Sequence, residues 1–126
     1  MDEPEVVLLV QKYFEAQGFK LKGQPAEGDI VLNGGEIRVD IQAFRETNPP
    51  DLIWVECKGD DAKLKDLLAD FTSLLLVISE YGGQAVLACP SVAYKKISAY
   101  QEFLDVLQKN IGKGQVQIFN VEANQQ

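Results

Sequence analysis

The sequence predicts a single three-layer α/β domain with the element order αβββαβαβ. Three observations carry this prediction. Apolar residues recur at helical spacing in three segments, alternating or continuous apolar runs separate those segments, and glycine, proline and aspartate clusters punctuate the boundaries. The 126 residues suit one domain with a sizeable core.

The elements follow in order. Pro4 suits the first turn of a helix, where a missing N–H costs nothing. Val6, Val10, Tyr13, Phe14 and Gln17 then share one face, and Gly18 ends the helix. The stretch DIVLNGGEIRVDIQAF reads as a hairpin, with apolar alternation on both sides of Asn33-Gly34-Gly35. Pro49 and Pro50 place FRETNPPD in a loop, since neither donates to a ladder. LIWVECK is the next strand. Asp60 and Asp61 are expected to cap a helix with an apolar stripe of Leu64, Leu67, Leu68, Phe71, Leu75 and Ile78. Gly82-Gly83 breaks it, and QAVLAC, apolar nearly throughout, fits a strand covered on both faces. Ser91 is expected to cap one long third helix, with a stripe from Ala93 to Ile111 and closure at Gly112 to Gly114. QVQIFNVE is a final strand and ANQQ a frayed tail.

Composition excludes several chemistries. With no histidine, Ser-His-Asp and Cys-His catalysis and imidazole metal ligation are absent. Cys57 and Cys89 are too few and too far apart for a zinc site and fall in strand-like runs, as buried free thiols do. No apolar run reaches the length of a membrane span. The acidic start MDEPE is unlike a basic secretory leader, so a cytoplasmic protein is expected. The formal charge of −7 argues against a simple nucleic-acid clamp. Local charge matters more than the total, because the Debye length is only about 8 Å at physiological salt. The lysines form scattered pairs: Lys20 with Lys22, Lys63 with Lys65, and Lys95 with Lys96.

The charges at the end of LIWVECK carry the chemistry. Alternation puts Glu56 and Lys58 on the face of Trp54, opposite Ile53, Val55 and Cys57. In the preceding strand, Asp40 shares a face with Arg38 and Gln42, while Val39, Ile41 and Ala43 point away. If the two strands are neighbours, Asp40, Glu56 and Lys58 converge. Two carboxylates about 4 Å apart repel in a partly dry site, and a divalent cation relieves that repulsion. Mg²⁺, or Mn²⁺ in its place, is held by one or two carboxylates, waters and a substrate phosphate. Such an ion polarises a phosphoryl oxygen and acidifies its bound water, while Lys58 orients the water or balances charge.

This arrangement resembles the PD-(D/E)xK nuclease superfamily, with its restriction-endonuclease-like fold and mixed central sheet. The likeness spans nearly the whole chain in element order, and its motif is Asp40, Glu56 and Lys58 in VECK. It implies an Mg-dependent endonuclease acting on phosphodiesters, most naturally of DNA, with Asp40 and Glu56 holding the metal. It also implies that the Cys57 backbone carbonyl is a further ligand. Many members add an acid from the first helix, for which Glu5 is the better candidate and Glu15 the weaker. Val39 stands where members carry proline, and the helix after Lys58 lacks the glutamine many place there. In length and layout, in LACPSVAY and in IFNVE, the chain is also similar to the fdxN-element excision controlling factors. That similarity implies an accessory role beside a recombinase or another protein partner. As a nuclease, so small a domain has little room for sequence readout, and a partner or a homodimer is expected.

Each residue also has a plainer reading. Glu56 and Lys58 make an ordinary surface ion pair if no third group joins them. Asp29 competes with Asp40 for the metal, although a strand-entry role after Gly28 suits it better. Trp54 either covers the core edge or stacks a base. Cys57 lacks the partner that a thiolate nucleophile needs. Tyr94, Lys95 and Lys96 contact phosphate or form an ordinary amphipathic surface.

Overall fold

The computed structural model describes residues 1–24, 26–111 and 114–123. The chain runs through α1 (Glu3–Ala16), β1 (Lys20–Lys22), β2 (Ile30–Leu32), β3 (Ile37–Val39), β4 (Ile41–Arg45), β5 (Asp51–Cys57), α2 (Leu64–Tyr81), β6 (Gln84–Cys89), α3 (Ser91–Ser98), α4 (Gln101–Ile111) and β7 (Val116–Asn120). Five strands form one mixed sheet in the order β1-β4-β5-β6-β7, and β2 and β3 form a separate ribbon. β4 pairs antiparallel with β1 and β5, whereas β6 runs parallel to both β5 and β7.

Helices cover both faces of the sheet, as three layers require. On one side Val6, Val10 and Phe14 of α1 pack on Ile41, Ala43, Val55, Cys57 and Ala88. On the other, Leu67, Phe71, Leu74, Leu75 and Ile78 of α2 meet Trp54, Leu87, Ile97 and Leu104. β6 is buried along its length after Gln84 because both layers press on it, which is why QAVLAC shows no alternation.

Several boundaries differ from the sequence expectation. The KLK alternation after α1 is too short to read as a strand, yet Lys20–Lys22 forms the edge strand β1 by pairing with Gln42–Phe44. The expected hairpin around Asn33-Gly34-Gly35 exists, with a 3-10 turn and positive φ at Asn33, Gly34 and Gly35. Its second arm, however, is cut in two at Asp40. Val39 packs in the α2 layer and Ile41 in the α1 layer, so the chain turns over at Asp40 and the simple alternation across Val39, Ile41 and Ala43 fails. Asp60 and Asp61 do not cap α2. Lys63 holds the N-cap position without a side-chain bond, and Asp60 pairs with the Met1 ammonium. Ser91 lies inside α3, where the Glu122 carboxylate accepts from its backbone N–H at 2.8 Å. The long third helix is two helices, broken between Ser98 and Gln101. Gly112, Lys113 and the last three residues of ANQQ lie outside the described residues.

Candidate metal and phosphate site

The end of β5 gathers the charged residues. Ile41 faces Val55 in the β4–β5 register, so Asp40, one residue earlier, meets Glu56 where β4 departs from the sheet. The backbone N–H of Cys57 loses its strand partner there, and Asp40 Oδ2 replaces it, accepting at 2.7 Å. Asp40 is thus anchored by the backbone of β5, with a carboxylate turned toward Glu56.

Glu56 is mostly buried, and its carboxyl is pushed up to about 10. Burial is the main cause, followed by its hydrogen bond to Asp40 and the charges of Asp40 and Asp70, which outweigh Lys58. At neutral pH Glu56 therefore keeps its proton. Lys58 reaches Asp70 Oδ2 at 3.0 Å and Glu3 Oε1 at 3.9 Å. Desolvation opposes the Lys58 charge, but Asp70, Glu3 and Glu56 raise its pKa overall, so the ammonium is kept. Burial raises the Asp70 carboxyl, against the lowering by Lys58. Asp70 Oδ2 is buried, with that ammonium as its close partner.

The N-terminal segment closes the site. A Cβ on Gly59 would lie 2.8 Å from the Glu3 nitrogen and 3.0 Å from the Asp2 carbonyl carbon. Only glycine lets the start of α1 pass this close to β5. The Asp60 N–H also donates to the Met1 carbonyl at 2.9 Å. These contacts bring Glu3 to Lys58. Beside them a cavity of about 180 Å³ is lined by Glu3, Pro4, Gly23, Asp29 and Asp40, among others.

Asp40 meets Glu56 through the turnover of the chain between β3 and β4, and Lys58, just past the end of β5, acts on Glu56 electrostatically while it pairs with Asp70 and Glu3. Asp29 is exposed at the cavity rim, and Asp40 is the aspartate that meets Glu56. Glu5 is exposed and acts electrostatically on the Met1 ammonium, whereas Glu3 is the first-helix acid beside Lys58. Glu15 lies about 18 Å farther along α1 than Glu3. Trp54 is 3% exposed, and its indole N–H donates to the Gly82 carbonyl at 3.1 Å, so it belongs to the core and stacks no base. Burial pushes the Cys57 thiol up, leaving it neutral and no nucleophile. Lys96 donates to the Ala62 carbonyl at 2.9 Å, which makes it a structural tie between α3 and the loop before α2.

Sequence reasoning did not single out Asp70 or Glu3. Asp70 had a readable signal: it lies three residues after Leu67 and four before Leu74, a charge at the margin of the buried stripe. Glu3 had none, because only the close pass over Gly59 brings it in. Among the described residues no three Asp, Glu, Cys or His side chains converge tightly enough to cage a metal ion. The pair Asp40–Glu56 fits a cation in another way. Replacing the Glu56 proton by a divalent ion would relieve the crowding of the two carboxyls, with water and phosphate completing the ion's shell. No known family profile, curated protein or solved structure matches the chain significantly, so the functional reading rests on this geometry.

Proposed function

We propose that the protein is an Mg²⁺-dependent phosphodiesterase of nucleic acid with a restriction-endonuclease-like fold, working in the cytoplasm. The observation that supports this best is the meeting of Asp40, at the turnover between β3 and β4, with Glu56 of β5, beside a Lys58 that is held charged. Asp40 and Glu56 would hold the ion, with the Cys57 carbonyl as a further ligand. When bound, it would polarise a phosphoryl oxygen and acidify a water. The chain's own residues do the rest. Asp40, tied to the Cys57 N–H, fixes the position of the carboxylate pair. Lys58 keeps its proton and so is a donor to the charge that builds on phosphate rather than a general base. Asp70 and Glu3 orient that ammonium from α2 and α1.

A second reading is favoured by the lack of a third converging acid among the described residues and by the charge of −7. In it the same fold is an accessory factor that assists a recombinase or similar protein, with weak or no turnover of its own. Calorimetric titration of Mg²⁺ and Mn²⁺ into the wild type and Asp40→Asn, with plasmid nicking, separates the two. Binding lost in the variant, with nicking that also needs Lys58, establishes the enzyme. Binding without nicking favours the accessory factor, and no binding removes the metal reading.

A further inference from the structure

β1 and β4 turn one face toward α1; on the opposite side α2 lies over β5 and β6, and the β2–β3 ribbon packs Ile30, Leu32, Ile37 and Val39 in the α2 layer at the Asp40 end of β4. On the α1 side are Leu21, Ile41 and Ala43. On the other side are Lys20 and Lys22 of β1 and Gln42 and Phe44 of β4. Their register is fixed: Lys22 faces Gln42, which faces Trp54, and Lys20 faces Phe44, which faces Leu52. The Lys22 ammonium lies 5.7 Å from the Phe44 ring centroid. Both lysines are exposed, while Gln42 and Phe44 are half-buried.

This face is the one that carries Glu56. Rows of side chains on one face of a sheet are two residues apart, about 7 Å. The Lys22–Gln42 row therefore lies about 7 Å from the Asp40–Glu56 row, and the Lys20–Phe44 row about 14 Å. A chain whose scissile phosphate sits at Asp40 and Glu56 passes Lys22 and then Lys20 as it leaves along β4. Lys20 has one loose partner, Glu46 at 3.8 Å, with both side chains more than two-thirds exposed, so a phosphate displaces it at little cost.

We propose that Lys22, Lys20 and Phe44 form a binding lane for a single-stranded nucleic-acid segment that leads to the site at the end of β5. The occupant follows from chemistry. Two exposed cations in a chain of net charge −7 attract a polyanion locally, and the aromatic ring in the Lys20 row offers a stacking platform to a base. A duplex keeps its bases stacked inside and has no use for Phe44. Trp54, the other aromatic of this face, is buried and unavailable. The direction of the lane rests on the hydrolytic reading, but binding to it does not.

The experiment is fluorescence anisotropy with labelled oligothymidylate, oligouridylate and a duplex of equal length, in EDTA, over a range of salt. The proteins are the wild type, Lys20→Ala/Lys22→Ala and Phe44→Leu, which keeps an apolar side chain under the ring's position. The double variant is expected to lower the slope of log affinity on log salt by about 1.4, for two contacts at about 0.7 each on a single strand. Phe44→Leu is expected to weaken binding about tenfold with the slope unchanged. Tighter binding of either single strand than of the duplex supports the lane and assigns its sugar. No binding by the wild type, a duplex preference, or indifference to both changes overturns it. Nicking with unaltered binding in the variants overturns the lane alone. Lane-dependent binding without metal-dependent nicking sinks the hydrolytic reading alone.

Discussion

Replacing Glu56 with glutamine should make the protein more stable at neutral pH, although it removes a residue of the proposed site. The native state holds the Glu56 proton up to about pH 10, while the unfolded chain releases it near the ordinary 4.5. Below 4.5 both states are protonated and the group contributes no difference. Between 4.5 and about 10 the unfolded state binds fewer protons, so stability falls as pH rises. One pH unit is worth about 1.4 kcal/mol, which makes the cost on the order of 3 kcal/mol at pH 7. Glutamine stays neutral, has nearly the same volume and donates an N–H to Asp40. Urea unfolding of both proteins from pH 4 to 9 tests this. The curves should nearly meet at the acid end and diverge to about 3 kcal/mol at pH 7, or roughly 10 °C in Tm. Asp70, also raised, adds a slope of the same sign to both proteins and does not affect the difference. Added Mg²⁺ should flatten the wild-type curve, because a cation in place of the proton stabilises the native state alone. A Glu56→Gln protein no more stable than the wild type at pH 7 to 8 would refute the idea that Glu56 is held neutral by burial against Asp40.

Asp40→Ala should leave the Cys57 N–H without an acceptor and cost about 1–3 kcal/mol, with faster hydrogen exchange at that amide. Asp40→Asn keeps an acceptor oxygen and should spare both, so equal exchange in the two variants would count against the anchoring role. Gly59→Ala should cost about 1–3 kcal/mol, since its Cβ meets backbone atoms of Asp2 and Glu3 rather than a movable side chain. A neutral result in urea unfolding would mean that α1 shifts freely away from β5. Asp70→Asn should lower the Lys58 pKa toward its ordinary value, because the nearest anion is removed. Titration of the Lys58 side chain by NMR checks this, and an unchanged midpoint would show that Glu3 and Glu56 suffice.

Much of the fold is legible in the chain because it depends on local spacing. The stripes of α1 and α2, the glycine stop at Gly82 and the continuous apolar run of β6 each reflect one element seen by one neighbouring layer. Asp40, Glu56 and Lys58 stand out for a related reason: charge at the end of an apolar strand is costly unless partnered. What alternation cannot convey is the turnover of the chain at Asp40. There Val39 and Ile41 enter opposite layers, and the carboxylate replaces a lost backbone partner. β1 is equally invisible, since three residues become a strand only through the edge that β4 offers them. The separation of α3 from α4 escapes the periodicity as well, because the apolar stripe continues across the break.

By itself, then, the sequence determined α1, α2, β5, β6 and β7 as elements, that both faces of a sheet are covered, and that Glu56 and Lys58 put charge at the end of an apolar strand. The tertiary structure decided the protonation and partners of those charges. Burial against Asp40 makes Glu56 an acid that keeps its proton, and α2 supplies Asp70 to hold Lys58 charged. The close pass over Gly59 brings Glu3 to the same ammonium. Desolvation and long-range contact depend on which surfaces meet, and no local pattern encodes that.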